Sequence, residues 1–141
     1  MNGRPDLPAG VLRPEDFPDY DSVQRHLPGL PWKEFRPDSG GRIAFCALGG
    51  SRKTGNISVL VALDGAAAPE HIHLADGTCV YREMIIGVSG AMEDVDDEGN
   101  RVTIGPGDML FHSTPAPHAP KATRFALVYY HQPVGWEATT R

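Results

Sequence analysis

The chain has 141 residues, a mass of 15.3 kDa and a net charge of −5, which suits one compact acidic domain. An acidic protein repels phosphate backbones, so the charge argues against nucleic acid as a partner. No apolar stretch approaches the roughly 20 residues that a membrane helix needs, so no membrane association is expected. The 16 glycines and 13 prolines disfavour a helical bundle, because long helices tolerate neither residue.

The N-terminal sequence and the cysteine usage both bear on the compartment. Residues 1–17 lack the apolar segment of a secretory signal. The two cysteines, Cys46 and Cys79, do not form a CxxC pair, and so small a number argues against a disulfide framework. We therefore expect a cytoplasmic protein.

Residues 1–41 differ from the rest of the chain because they hold seven of the 13 prolines. Proline removes backbone donors, so this segment is expected to be neither a central strand nor a long helix. We predict an extended, proline-rich N-terminal arm over residues 1–41, with a short helix around Tyr20 to His26. Trp32 and Phe35 indicate that at least this part packs on the body, and the alternative is a partly disordered leader.

The sequence of residues 42–141 predicts a β-domain. Short runs of β-branched residues, or of alternating apolar and polar residues, are separated by Gly, Asp, Asn and Pro. Eight short strands without a helical period predict an all-β sandwich or barrel, and 100 residues favour one small barrel. The predicted strands cover residues 42–48, 56–64, 70–74, 79–88, 90–95, 101–104, 108–112 and 124–131.

An acidic run at residues 93–98, followed by Gly99-Asn100, has a weak likeness to a calcium-binding loop. The twelfth position counted from Asp94 is Gly105 rather than Glu, and no helices flank the run. We therefore predict a solvated hairpin turn, with Asp94 as part of it.

His71 and His73 are the most informative pair of residues. In a strand, residues i and i+2 point to the same face, so both imidazoles are expected to project together, opposite Ile72. Two imidazoles side by side inside a barrel are costly unless a group such as a divalent metal holds them. The alternative is a pair of surface histidines on an edge strand.

Glu83 lies on the next predicted strand, where residues 79, 81, 83 and 85 share one face. Tyr81 is therefore predicted to face the same cavity as Glu83, about 6–7 Å further along the strand. There it would act as a proton donor or acceptor, which makes Tyr81 and Glu83 the expected catalytic residues. The alternative is a tyrosine that only packs inside the barrel.

Several features follow one another in a fixed order: His71-x-His73, Glu83 with Gly90 after six residues, Pro106-Gly107-Asp108, and His118. Over residues 57–131 this order resembles the two motifs of the cupin superfamily. The resemblance implies a double-stranded β-helix, or jelly-roll barrel, that binds one metal through His71, His73, Glu83 and His118. Nine residues separate His73 from Glu83 where the family usually has three or four, and residues 75–78 indicate an inserted turn.

Two further histidines lie near these motifs. His112 precedes the loop that carries His118, and it is expected beside the ligands or outside the site, with ligation left open. His131 ends the last predicted strand and is expected at the surface or at an interface.

The resemblance also implies a function, because three histidines and one carboxylate leave one or two metal positions open. This favours an enzyme that acts on a small organic molecule, with an oxygenase reaction at Fe²⁺ ahead of Mn²⁺, Ni²⁺, Cu²⁺ or Zn²⁺. The alternatives are an isomerase, lyase or cyclase that uses the metal as a Lewis acid, and a non-catalytic binding protein.

A small barrel leaves sheet edges exposed, and such edges are normally covered. The arm, with Leu30, Trp32 and Phe35, is the expected cover on its own barrel or on that of a partner. We predict a homodimer in which residues 28–48 contribute to the interface.

Overall fold

A computed structural model describes Pro8 and residues 10–140 of the chain, and the described part is mostly antiparallel β-structure. A 3₁₀ turn at Pro14–Asp16 and one short helix precede the strands. None of the described helices is long and apolar enough to cross a membrane. The elements are α1 (Tyr20–His26), β1 (Lys33–Phe35), β2 (Arg42–Ser51), β3 (Gly55–Leu63), β4 (His71–Leu74), β5 (Glu83–Val95), β6 (Arg101–Ile104), β7 (Met109–His112), β8 (Lys121–Gln132) and β9 (Glu137–Thr140).

Two sheets form the body, as the predicted all-β jelly-roll class requires. The larger sheet has the order β1-β2-β3-β8-β5-β6, with β7 also paired to β5, and the smaller sheet consists of β4 and β9. Strand alternation gives the larger sheet two apolar faces. On β3, Val61 belongs to a cluster with the N-terminal segment, whereas Leu60 and Ala62 belong to a cluster on the other face.

The predicted short helix is present at Tyr20–His26. It begins at Asp19, whose side chain accepts a hydrogen bond from the Ser22 amide at 2.9 Å. Tyr20 and Val23 are buried against the larger sheet, so this part of the arm packs on the body. The division of the chain at residue 41 stays a prediction.

The predicted strands 79–88 and 90–95 are wrong in their bounds, because β5 is one strand that begins at Glu83. Residues 79–82 lie before it. Gly90 does not end the strand: it has φ +68°, and the pairing with β8 shifts register on either side of it. A bulge of this kind bends a strand without ending its ladder.

Strands β1 and β9 were not predicted from the sequence. Strand β9 matters for the site because it pairs with β4, with His71 opposite Thr140 and His73 opposite Ala138. Strand β4, which carries the two histidines, has β9 as its partner strand in the smaller sheet.

Candidate metal centre

Backbone pairing brings His118 beside the two histidines of β4. The His71 amide donates to the His118 carbonyl, and the His118 amide donates to the His71 carbonyl, each at 2.9 Å. The loop between β7 and β8 that supplies His118 contains Pro115, Pro117 and Pro120, and each proline fixes one backbone dihedral. This short bridge joins the smaller sheet to the loop.

The structure brings the four predicted ligand residues together. The Nε2 atoms of His71 and His73 lie 2.9 Å apart, and His73 Nε2 lies 3.1 Å from Glu83 Oε2. His118 Nε2 lies 3.6 Å from Glu83 Oε1. His73, Glu83 and His118 are buried, and His71 is half-buried. The inserted turn predicted at residues 75–78 is present, and it returns the chain to Glu83.

Hydrogen bonds outside this cluster set which nitrogen of each ring faces inward. His71 Nδ1 donates to the Pro69 carbonyl at 2.6 Å, so the neutral ring turns the lone pair of Nε2 toward the cluster. Burial lowers the pKa of His71, and the nearby His118 and His73 lower it further. His118 Nδ1 donates to Asp94 at 3.0 Å, which leaves its Nε2 as an acceptor as well.

Asp94 is a functional residue that the sequence analysis missed. It was predicted in a solvated turn, but its carboxylate is buried and accepts from His118 Nδ1 and from His112 Nε2, the latter at 3.2 Å. Burial alone would raise the pKa of Asp94, but hydrogen bonds from His112 and His118 hold it well below its usual range. The hairpin itself is present at residues 96–100, and Asp94 precedes it on β5.

The position of His112 is consistent with the expectation that it lies beside the ligands. Its Nδ1 lies 3.6 Å from Asp97 Oδ1, so the ring is held between two carboxylates. Burial alone would lower the pKa of His112, but the Asp94 carboxylate raises it. His112 also lies close enough to Glu83 and His118 to form a second group of three candidate ligands.

The donor atoms fit a divalent transition metal. Two atoms bound to one ion at about 2.1 Å lie about 3.0 Å apart at a right angle and about 3.4 Å apart at the tetrahedral angle. The three separations of 2.9, 3.1 and 3.6 Å lie in or close to this range. Moreover, Glu83 Oε1 and His118 Nε2 are buried without any hydrogen-bond partner in the described part of the chain. Unpaired polar atoms in such a position are costly unless a cation binds them.

Tyr81 does not have the surroundings that the sequence analysis predicted. It precedes β5, so the argument that it shares a strand face with Glu83 is wrong. Its hydroxyl forms a hydrogen bond of 2.7 Å with Nδ1 of His131, and its ring packs edge-on against Phe111. Burial raises the pKa of Tyr81. Its role in catalysis stays a prediction without that geometric support.

A cavity of about 270 Å³ lies between the two sheets and opens onto the histidine cluster. Its wall is mostly apolar, with Ile43, Leu60, Ile85, Met92 and Val128 among the lining residues. At the metal end it is lined by His71, His73 and Glu83, together with Tyr130 and Gln132 from β8. A molecule in the cavity would therefore contact the candidate ligands directly.

Comparison with solved structures identifies this architecture. No family model and no curated protein matches the chain. A chain from crystal structures of the DMSP lyases RdDddP and RnDddQII matches with a TM-score of 0.62 at 17% identity, over 86% of this chain and 67% of that one. A cupin superfamily protein from Desulfitobacterium hafniense matches with a TM-score of 0.55 at 17% identity, over 65% and 77% of the two chains. The protein has a cupin fold.

Other structures with the cupin fold differ in the reactions that their names state. The polyketide cyclase RemF from Streptomyces resistomycificus matches with a TM-score of 0.55 at 16% identity, over 70% of each chain. A salicylate 1,2-dioxygenase from Pseudaminobacter salicylatoxidans matches with a TM-score of 0.55 at 12% identity, but only 30% of its chain is covered. At these identities the likeness establishes the fold alone.

Proposed function

We propose that this protein is a mononuclear metal enzyme that acts on a small organic molecule. His71, His73, Glu83 and His118 would hold one divalent transition metal, with Fe²⁺ ahead of Mn²⁺, Ni²⁺, Cu²⁺ and Zn²⁺, because imidazole-rich sites with open positions suit iron. The observation that carries the proposal is the convergence of unpaired, buried donor atoms on one point at the end of an apolar cavity.

The proposed reaction is that of an oxygenase. When bound, the metal would supply an open position for substrate and oxygen chemistry. The chain contributes a mostly apolar cavity wall that would orient the substrate body. Asp94 keeps the Nδ1 proton on His118, so that Nε2 stays available as a donor atom.

A second candidate is a lyase, isomerase or cyclase that uses the metal as a Lewis acid. Two solved structures with this fold have names of this class, a DMSP lyase and a polyketide cyclase, and 67% and 70% of their chains are covered. Fold likeness does not choose between these reactions.

Metal analysis followed by oxygen-uptake assays tests the proposal. Purified protein is loaded anaerobically with each metal in turn, and bound metal is measured by elemental analysis. We expect one metal per chain, and oxygen uptake with a suitable substrate only in the Fe²⁺ form. Product formation without oxygen uptake would support the second candidate. Tight metal binding without turnover of any candidate substrate would indicate a non-catalytic binding protein.

A further inference from the structure

The cavity wall beside Glu83 carries polar side chains that the metal site does not use. They are paired across β3 and β8, where Asn56 lies opposite Gln132 and Ser58 lies opposite Tyr130. Residues two apart on a strand share a face, so all four side chains are on the same side of the sheet. Tyr130 and Gln132 line the cavity together with Glu83.

Hydrogen bonds fix the direction of the Gln132 amide. Asn56 Nδ2 donates to Gln132 Oε1 at 3.0 Å and to Ser58 Oγ at 2.9 Å. The Gln132 oxygen is thereby used, and among the residues that the structure describes its Nε2 has no hydrogen-bond partner. Gln132 is only 5% exposed and lines the cavity, so a ligand bound there can supply an acceptor for this N–H₂ group.

The charge of the site selects among ligands. A divalent cation bound to the Glu83 carboxylate and three neutral imidazoles has one net positive charge, which attracts an anion and repels an ammonium group. The buried Asp94 carboxylate lies behind His118, away from the open metal position, and is also hydrogen-bonded to His112. Sites for phosphate groups use Arg, Lys or helix N-termini, and the described residues that line the cavity include no Arg or Lys.

Size and polarity restrict the ligand further. Pockets for drug-sized ligands span about 300–1,000 Å³, and this cavity, at about 270 Å³, lies below that range. Away from the metal end the wall is apolar, so a ligand with its polar group at one end leaves few buried polar atoms unpaired.

We propose that the Gln132 amide and the Tyr130 hydroxyl form a head-group subsite beside the metal, and that the substrate is a small monocarboxylate with an apolar body. Both groups donate hydrogen bonds, and carboxylate oxygens accept them. The inference rests on the proposed function, because the metal supplies the positive charge.

Isosteric head groups on one body test the inference. Benzoate, benzamide and benzamidinium differ in charge but little in shape, and butanoate, butanamide and butanamidinium repeat the series on a smaller body. Binding to the metal-loaded protein is measured by titration calorimetry, with metal content determined on the same samples. We expect the carboxylate of at least one series to bind about 10-fold or more tightly than its amide, and the cation not to bind.

Variants then assign the preference to the two residues. Tyr130→Phe and Gln132→Met are expected to keep one metal per chain and to weaken carboxylate binding about 10-fold or more, since each loses a hydrogen bond to a charged group. Gln132→Glu keeps the shape of the side chain but adds a negative charge, so we expect it to abolish carboxylate binding. Tyr129→Phe is the matched control, since Tyr129 is the neighbouring residue of β8 and does not line the cavity.

The outcomes separate the two proposals. A wild-type protein without stoichiometric metal would overturn the proposed function and this inference with it. A fully loaded protein that binds amide or cation as tightly as carboxylate, or that binds neither series, would overturn the inference alone. Unchanged carboxylate affinity in folded, metal-loaded Tyr130→Phe and Gln132→Met would do the same.

Discussion

Asp94 is joined to the candidate metal ligands through a single imidazole ring. Its carboxylate accepts from His118 Nδ1, so it sets the tautomer of His118 and makes Nε2 more basic. We expect Asp94→Asn to lower metal affinity about 10–100-fold with an unchanged stoichiometry of one metal per chain, measured by competition with a chelating indicator. Asp96→Asn is the control, because Asp96 lies in the exposed hairpin. Wild-type affinity in Asp94→Asn would show that His118 is oriented by its backbone alone.

Glu83 is the candidate ligand that has an unpaired carboxylate oxygen and that is separated from His73 by nine residues in the sequence. Burial alone would raise its pKa, but the adjacent His73 lowers it, so the carboxylate is ionised in the cluster. Glu83→Gln is expected to lower metal affinity about 10–100-fold, because the amide keeps the shape but loses the charge.

Glu93→Gln provides the comparison for Glu83→Gln, since Glu93 lies on the same strand and is exposed. His73→Ala is the stronger test, because it removes the ring closest to both His71 and Glu83 and is expected to abolish stoichiometric binding. Full occupancy in His73→Ala would mean that the metal site lies elsewhere.

Tyr81 and Tyr130 are the two phenols that compete for a role in proton transfer. Tyr130 lines the cavity, whereas the Tyr81 hydroxyl is paired with His131. A general acid or base contributes about 10²–10⁴-fold to turnover, and only a group that reaches the substrate can do so. If Tyr81 has the catalytic role predicted from the sequence, Tyr81→Phe should retain its metal and lose about 10²-fold or more of its turnover. Full turnover with full metal content would remove Tyr81 from the mechanism and leave Tyr130 as the phenol that reaches the cavity.

Gly90 bends β5 and thereby places both ends of one strand at the site. It has φ +68°, and a Cβ atom there would collide with the Phe125 carbonyl oxygen. Gly99, in the hairpin, has φ +85° and no heavy atom within 4 Å of an added Cβ. Gly99→Ala is expected to cost about 1–2 kcal/mol of unfolding free energy for the left-handed backbone. Gly90→Ala should cost a further ~1–3 kcal/mol for the collision. Equal losses in urea denaturation would contradict a steric role for Phe125.

This bend also explains which parts of the site could be predicted from the sequence. His71 and His73 lie two residues apart on one strand, and His118 follows the Pro106-Gly107-Asp108 turn at motif spacing. Glu83 matches the motif only in the six residues before Gly90, because its distance from His73 departs from the pattern. Asp94 could not be found in this way, because the extra residue of β5 between Gly87 and Ser89 reverses which residues of the strand face inward. Met92 and Asp94 are buried and Glu93 between them is exposed, which is the alternation of a strand. The acidic residues around Asp94 instead indicated a solvated turn.

Strand β9 shows a different limit of sequence analysis. The residues Glu137–Thr140 are exposed, so no buried face gives them a hydrophobic period. They form a strand because they pair with β4 through backbone hydrogen bonds. That pairing is a tertiary contact, which the local sequence does not encode. Tyr81 was misplaced for the related reason that Val80, in the run read as a strand, is 85% exposed and has no sheet to pack against.

At the scale of the whole molecule, one edge of the larger sheet ends in a single short strand. Strand β1 pairs with β2 through Lys33–Phe35 and so moves the edge outward by one short strand. Its three residues are exposed, and Phe35 and Leu48 are 39% and 46% exposed. An exposed strand edge with apolar side chains is a template for a second chain. The homodimer with residues 28–48 at its interface therefore stays our prediction.

Point variants test the dimer more sharply than truncation of the arm. Removing residues 1–36 would also remove Tyr20 and Val23, which are buried against the sheet, so aggregation of the truncated chain would not be informative. Leu48→Lys alters an exposed side chain, whereas Phe35→Lys also removes an edge-on contact with the Phe45 ring, so the melting temperature of each variant is measured as well. By sedimentation velocity we expect each to weaken dimerisation roughly tenfold or more, since a lysine opposite its own symmetry mate adds repulsion. Val80→Lys, at a residue outside the segment, should leave the dimer intact. A wild-type protein that sediments as a monomer, or lysine variants that remain dimeric, would exclude this edge as the interface.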